Sequence, residues 1–368
     1  MNAAVPPLAP SRPHPLRRLA RPLVTPHVFD FWAGSLNRLW SWERPLARLV
    51  GRRRESDDAV TLVLRPNRHW RGFLPGQHVT LGVEIAGRRT HRSYSLSGLP
   101  RRDGCIEITV KAIEGGRVSQ YLCRQARVGE VFEIGPAFGG MTLPAAPQGR
   151  WLMLAAGSGI TPLMALIRRL AVDDMPVELT LLYWARAHGE LCFAGELEAL
   201  ARRQPRFRFH ALTTRQPLPG GGAPAGRIDA AVIERLVGRP ADCRVLACGP
   251  GGFVATAREL LGERAVSFQA EAFTLPAATM EETGSVQVRL ARSGRTLEVP
   301  RGQPLLAALE AQGLRPAYGC RMGICNTCAC GKSAGATRHL PGGDLDNEPS
   351  PALKLCISSA ATDLVLDL

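Results

Sequence analysis

The 368-residue chain has no apolar run approaching the ~20 residues that cross a bilayer as a helix. Its first 25 residues hold proline and arginine where a secretory signal would carry an apolar segment. These absences lead us to expect a cytoplasmic protein. Acidic residues are nearly missing from the first 54 positions, where ten arginines face only Asp30 and Glu43. That stretch carries +8 of the formal +14, so most of the excess charge belongs to an N-terminal arm. A nucleic-acid-binding body would instead spread basic residues and aromatics over a folded face, and nucleic acid is excluded as a partner on that ground. Aromatics are scarce at 6%, but hydrophobic residues reach 45%, with 38 Gly and 29 Pro. This is enough for real cores and many tight turns, and the length predicts two or three domains.

Residues 1–26 mix Pro, Arg and Leu in a way that sustains neither helix nor strand, and they read as flexible. From His27 to Leu49, Phe29, Trp32, Leu36, Leu39 and Trp40 recur near helical spacing. This amphipathic segment suits an anionic membrane surface or packing on its own protein equally well. Short β-branched runs follow at 59–66, 78–84, 90–97 and 105–112, predicting an antiparallel β-barrel that ends near residue 145. After Pro144, strands near 151–156, 178–184, 208–214, 244–249 and 266–270 alternate with helices, the rhythm of a doubly wound parallel sheet. The expected division is a leader at 1–45, a barrel domain at 46–146, an α/β domain at 147–275, a linker at 276–285 and a last unit at 286–368.

Five of the ten cysteines, Cys320, Cys325, Cys328, Cys330 and Cys356, lie near the end of the chain. In a large chain without a secretory signal, such a group reads as a cofactor site more readily than as a disulfide frame. Cys320, Cys325, Cys328 and distant Cys356 have the plant-type [2Fe-2S] spacing, with two thiolates for each iron. Gly319 and Gly323 suit a loop whose N–H groups must point at sulfur. A zinc site would more often bring paired Cys-x-x-Cys knuckles. Cys330 reads as a buried neighbour.

Two further constellations suit nucleotides. Arg92, Tyr94 and Ser95 close a predicted strand with a cation for a pyrophosphate, a ring for stacking and a hydroxyl for a flavin nitrogen. Lys111 ends another strand, and Gly115 to Ser119 open a predicted helix at 118–124, whose N-terminus suits phosphate. Gly157, Ser158, Gly159, Ile160, Thr161 and Pro162 join the first strand of the parallel sheet to its first helix. Cys248, Gly249 and Pro250 follow a later strand, so both loops should open at one carboxyl edge. Arg186 and His188 follow the second strand with no acidic residue for a ribose hydroxyl, which leans towards NADPH over NADH.

Taken in order, Arg92-x-Tyr94-Ser95, Gly116-x-Val118-Ser119, Gly157 to Pro162, Cys248 to Pro250, and Glu271 with Phe273 resemble the ferredoxin–NADP reductase superfamily. The C-terminal unit resembles a plant-type ferredoxin. The resemblance implies a multidomain architecture of antiparallel β-barrel FAD domain, α/β doubly wound nucleotide domain and α+β β-grasp ferredoxin domain. It implies FAD contacts from Arg92, Tyr94, Ser95, Lys111, Gly116, Val118 and Ser119. Gly157, Thr161, Arg186, Cys248, Gly249 and Pro250 would serve the pyridine nucleotide, with Ser95, Cys248, Glu271 and Phe273 where flavin and nicotinamide meet. Asn326 stands where a His is common between the cluster cysteines. The Trp-rich basic leader and the Tyr318 to Cys325 loop resemble reductase partners of membrane fatty-acid desaturases and related di-iron hydroxylases. The expected activity is electron transfer from NAD(P)H through FAD to [2Fe-2S] and on to a terminal oxygenase, with residues 1–45 open to the inner membrane face. The rivals are a reductase of a soluble Rieske-type oxygenase and a non-enzymatic redox sensor.

Overall fold

The computed structural model describes residues 25–217, 225–274 and 283–368. The flexible arm expected before Thr25 and most of the expected linker lie outside the described residues. By contact the chain divides into two compact units. One comprises Met1–Gly149, Thr161–Leu179 and His188–Arg208, and the other Arg150–Ile160, Thr180–Ala187 and Phe209–Leu368.

The first unit opens with helix α1 (Pro26–Leu36), which has proline in its first turn, where no N–H is needed. The helical spacing expected to run to Leu49 stops at Leu36, because Asn37 is extended and Leu46 to Leu49 enter a strand. Six strands follow: β1 (Leu46–Arg54), β2 (Ala59–Pro66), β3 (His78–Ile85), β4 (Arg88–Ser95), β5 (Ile106–Lys111) and β6 (Val131–Phe138). They form one sheet in the order β4-β3-β6-β1-β2-β5, and a bridge between Leu96 and Ile108 joins its two ends. Alternate residues such as Leu49, Leu62, Leu64, Leu81 and Ile108 fill the interior. Strands β1 and β6 escape the sequence reading for identifiable reasons. The arginines of β1 obscure its alternation, and Gly135-Pro136 looks like a turn. Proline is tolerated there because the β3–β6 register shifts at that point.

Helix α2 (Arg117–Arg124) follows β5. The first unit also holds most of α3 (Ile160–Val172) and all of α4 (Ala194–Arg203). Arg168 of α3 fastens this unit: it donates to the carbonyl of Ser97 at 2.8 Å and forks onto Glu196 of α4 at 2.8 and 2.6 Å.

The second unit contains most of a five-stranded sheet made of β7 (Arg150–Ala156), β8 (Glu178–Ala185), β9 (Phe207–Thr213), β10 (Cys243–Gly249) and β11 (Ser267–Ala272). Its order is β11-β10-β7-β8-β9, and β10 runs parallel to both β7 and β11. Helix α5 (Ala230–Val237) is capped by Asp229, whose carboxylate accepts from the Val232 N–H at 2.7 Å, and α6 (Gly251–Leu261) follows β10.

The C-terminal part begins with β12 (Ser285–Leu290), β13 (Thr296–Pro300), α7 (Leu305–Ala311) and β14 (Ala329–Ala334). It ends with β15 (Thr337–His339), β16 (Leu345–Asp346), β17 (Ser350–Lys354), β18 (Ser358–Ala360) and β19 (Leu364–Leu366). A mixed sheet β13-β12-β19-β14-β17 carries the hydrophobic core together with α7, and β16-β15-β18 forms a small second sheet. Among the described residues no helix is long and apolar enough to cross a membrane.

Candidate functional site

The loop from Gly319 to Cys328 lies between α7 and β14 and wraps around sulfur. The N–H groups of Met322, Ile324 and Cys325 each donate to Cys320 Sγ at 3.3 Å, and Gly323 donates to Cys356 Sγ at 3.3 Å. The Thr327 hydroxyl donates to Cys325 Sγ at 3.1 Å. Gly323 has φ +75°, and a β-carbon there would collide with Ile357, so the turn requires glycine. Hydrogen bonds from the Cys325 and Cys356 thiols and from the loop N–H groups hold Cys320 well below the usual thiol range. A hydrogen bond from Cys356 brings Cys328 down to about 7. Among the described residues no three His, Cys, Asp or Glu side chains close on a single point as they would around one ion. The fit to a two-iron cluster rests on four thiols joined in a chain, Cys325–Cys320–Cys356–Cys328, beside N–H donors; the hydrogen bonds that lower Cys320 and Cys328 raise Cys325 and Cys356, which hold the shared protons. Cys330 is buried in the core of β14, where burial pushes its thiol up to about 11.

Sequence reasoning missed the loop's supports. Arg321, with φ +57°, forks onto Glu310 of α7 at 2.9 and 2.5 Å, and its guanidinium lies 3.9 Å over the Tyr318 ring. The Lys354 ammonium donates to the carbonyl of Gly323 at 2.7 Å. Only the position of Lys354, two residues before Cys356, hinted at such a role. Asn326 also has a positive φ, +58°, which asparagine tolerates better than most residues.

On the barrel, Arg92, Tyr94 and Ser95 lie along the end of β4, where His78 of β3 pairs with Ser95 and Val79 with Tyr94. Ser95 is buried and Arg92 exposed, while burial raises the Tyr94 hydroxyl well above its usual range. Helix α2 has Gly116 at its N-cap and no side chain caps it, which leaves its first turn suited to an outside acceptor. Val118 is buried beside it. Two expected phosphate or flavin contacts are already engaged. The Lys111 ammonium sits between Asp58 at 3.0 Å and Glu190 at 2.9 Å, and the Ser119 hydroxyl donates to the Gly116 carbonyl at 3.1 Å.

The two glycine loops of the second unit meet as the parallel sheet requires. Strands β7 and β10 are neighbours, so Gly157–Gly159 and Cys248–Pro250 emerge at one edge. A β-carbon on Gly159 would collide with the Cys248 carbonyl, so the loops touch backbone to backbone. Cys248 is fully buried, and burial pushes its thiol well up. It pairs across β10–β11 with Glu271. Burial first, and then the neighbouring Cys320, raise the Glu271 carboxyl to about 7. The Phe273 N–H donates to the Gly249 carbonyl at 2.9 Å. Thr274, also missed, accepts from the Gly251 N–H at 3.0 Å at the start of α6. Thr161 is buried on α3, and Arg186 is exposed just after β8.

A flavin-type barrel, a parallel nucleotide sheet and a four-thiol β-grasp domain on one chain define a pyridine-nucleotide-dependent flavin and iron–sulfur oxidoreductase. The chain matches the Oxidoreductase FAD-binding domain over residues 46–142, the Oxidoreductase NAD-binding domain over 153–259 and the 2Fe-2S iron-sulfur cluster binding domain over 288–359. It is 32% identical over 364 residues to an NADPH oxidoreductase of Mycobacterium tuberculosis, covering 96% of this chain and 92% of that one. It is 28% identical over 323 residues to a glycine betaine monooxygenase reductase subunit of Chromohalobacter salexigens, covering 80% and 87%. The structure of phthalate dioxygenase reductase aligns with a TM-score of 0.60 at 23% identity, covering 88% and 97%, and shares the fold. The chain therefore belongs to the ferredoxin–NADP reductase-type oxidoreductases that carry a C-terminal 2Fe-2S domain. Its cofactors are FAD, a [2Fe-2S] cluster and NAD(P)H.

Proposed function

We propose that this enzyme is the reductase component of a multicomponent oxygenase, drawing electrons from NADPH and delivering them singly to a separate terminal oxygenase. The observation that carries this reading is the N–H-lined four-thiol loop, a one-electron outlet on the same chain as the flavin and nucleotide domains. When bound, the flavin takes electrons from the nucleotide in pairs and the cluster takes them one at a time. Arg92, Tyr94, Ser95 and the α2 N-terminus hold the flavin, and the Gly157–Gly159 and Cys248–Pro250 loops receive the nucleotide. Cys248 and Glu271 supply a buried, weakly ionised wall, and no protein group has to carry a proton-transfer relay.

The names of two relatives, reductases of a glycine betaine monooxygenase and a 3-ketosteroid-9-alpha-monooxygenase, support a multicomponent oxygenase partner over the membrane desaturase expected from the leader and cluster loop. They also speak against a non-enzymatic sensor. NADPH is preferred on the strength of Arg186 and the name of the mycobacterial relative. The enzyme works in the cytoplasm, where thiols stay reduced and NADPH is supplied.

An anaerobic titration with NADPH and then NADH, followed by absorbance, tests the reading. Flavin and cluster bands should both bleach, and at lower NADPH than NADH. Bleaching of the flavin alone, or the absence of flavin, would overturn it.

A further inference from the structure

Helix α1 turns towards solvent a stripe of side chains that proteins ordinarily bury. Val28, Phe31, Trp32 and Leu36 on α1, with Trp40 just beyond it, are 52%, 69%, 67%, 82% and 54% exposed. Among the described residues these are five of the eleven exposed large hydrophobics, gathered into thirteen positions, so the exposure is a local patch and no general property of the surface. Positions 28, 31, 32 and 36 fall on one helical face.

The opposite side of α1 is fastened to its own unit. Ala33 is buried, and the Phe29 ring meets Trp42 edge-on at 5.2 Å. Asp30, the one carboxylate of the helix, accepts from the Trp42 N–H at 2.6 Å and pairs with Arg44 at 2.9 Å. The helix is therefore held by Phe29, Asp30 and Ala33, and Val28, Phe31, Trp32 and Leu36 are presented outward.

The rim of the patch is basic. Arg38 is exposed between Leu36 and Trp40. The Asn67 side chain donates to the carbonyls of Leu39 at 3.1 Å and Arg44 at 3.0 Å, tying the next loop to this turn. That loop carries Arg68 and Arg71, both exposed, and Glu43 is the one exposed acid among residues 25–54. In the sequence alone, residues 1–25 hold four more arginines and no acid.

We propose that this face docks on an anionic lipid bilayer. Its stripe of Phe, Trp and aliphatic side chains settles at the boundary of headgroups and acyl chains, and Arg38, Arg68 and Arg71 meet the lipid phosphates. The charge decides the occupant. A second copy of the chain would bring like-charged rims together, whereas anionic headgroups complement them. The stripe offers no hydrogen-bonding group apart from two indole N–H groups, the side chains that settle at membrane interfaces. The inference goes beyond the electron-transfer reading and does not depend on it.

The test is co-sedimentation of the holoenzyme with vesicles of phosphatidylcholine alone and of equimolar phosphatidylcholine and phosphatidylglycerol, with tryptophan emission recorded in parallel. Binding to the anionic vesicles with a blue shift, weakened by salt, is expected. The triple variant Phe31→Ser, Trp32→Ser, Leu36→Ser should lose affinity about tenfold or more, since it removes three buried apolar side chains from the contact. Arg68→Gln with Arg71→Gln should lessen the preference for anionic lipid. All variants should keep NADPH-ferricyanide activity, which reports an intact fold and flavin site. Sedimentation of the triple variant equal to that of the parent would assign binding to the arginine-rich arm alone and overturn the proposal. So would indifference to phosphatidylglycerol, no vesicle binding by the parent, or a parent dimer that the triple variant abolishes.

Discussion

Arg321 and Glu310 form a two-pronged ion pair, at 2.9 and 2.5 Å, that ties the cluster loop to helix α7. The residue after Arg321, Met322, donates its N–H to Cys320 Sγ, so the ion pair positions a sulfur-directed donor one residue away. Glu310→Gln should remove one charge from the pair and cost about 1 kcal/mol, as expected for a half-exposed ion pair. Its signature is in the cluster: a lower midpoint potential and an altered paramagnetic resonance spectrum of the reduced form, with flavin content unchanged. Identical spectra and potential in the variant would show that the loop holds its shape without the clamp.

Gly159 touches the Cys248 carbonyl so closely that a β-carbon has no room. Gly159→Ala should force the two nucleotide loops apart and raise the KM for NADPH at least about tenfold, the scale of a 1.4 kcal/mol loss. Flavin binding should be spared, because the residues proposed to hold the flavin lie on β4 and at the start of α2. Steady-state kinetics with ferricyanide would measure the split, and an unchanged KM would mean that the nucleotide does not use this edge.

Cys356 reaches the cluster loop from beyond β17, and its thiol accepts from the Gly323 N–H. Cys356→Ser or Cys320→Ser should abolish the cluster's visible bands and the reduction of one-electron protein acceptors such as cytochrome c. NADPH-ferricyanide activity should persist, since it draws on the flavin. Retention of cytochrome c reduction without a cluster would place the outlet at the flavin.

Glu271 is neutral in the folded protein up to about pH 7, against an ordinary 4.5, because burial and then Cys320 disfavour its charge. The folded chain thus holds a proton that the unfolded chain releases between those values. This contribution to stability is fully present below pH 4.5 and is lost as pH rises through 7, at most about 3 kcal/mol. Glu271→Gln should flatten the fall in urea midpoint over this window, relative to the parent. Parallel curves for the two proteins would show that the carboxyl is ionised in the fold.

Much of the site is local in sequence and could be read there. Cys320, Cys325 and Cys328 read as ligands by spacing, and of the glycines in the first nucleotide loop Gly159 makes the close backbone approach while a β-carbon on Gly157 would meet nothing. Strands β2 and β3 alternate cleanly enough to be placed within a residue or two. The supports were not legible, because Glu310 and Arg321, or Thr274 and Gly251, are brought together only by packing. Lys111 shows the same limit from the other side. As a lone cation at a strand end it suits a phosphate, yet the fold sets it between Asp58 and Glu190.

The sequence by itself determined the three-module order and the cofactor set, and it singled out four candidate cluster thiols, since each depends on residue type and spacing along the chain. Tertiary structure alone decided which side of the N-terminal helix is buried. Hydrophobic periodicity defines an apolar stripe but not what covers it. Here Asp30 and Phe29 bind Trp42 and Arg44, and Phe31, Trp32 and Leu36 are left facing outward.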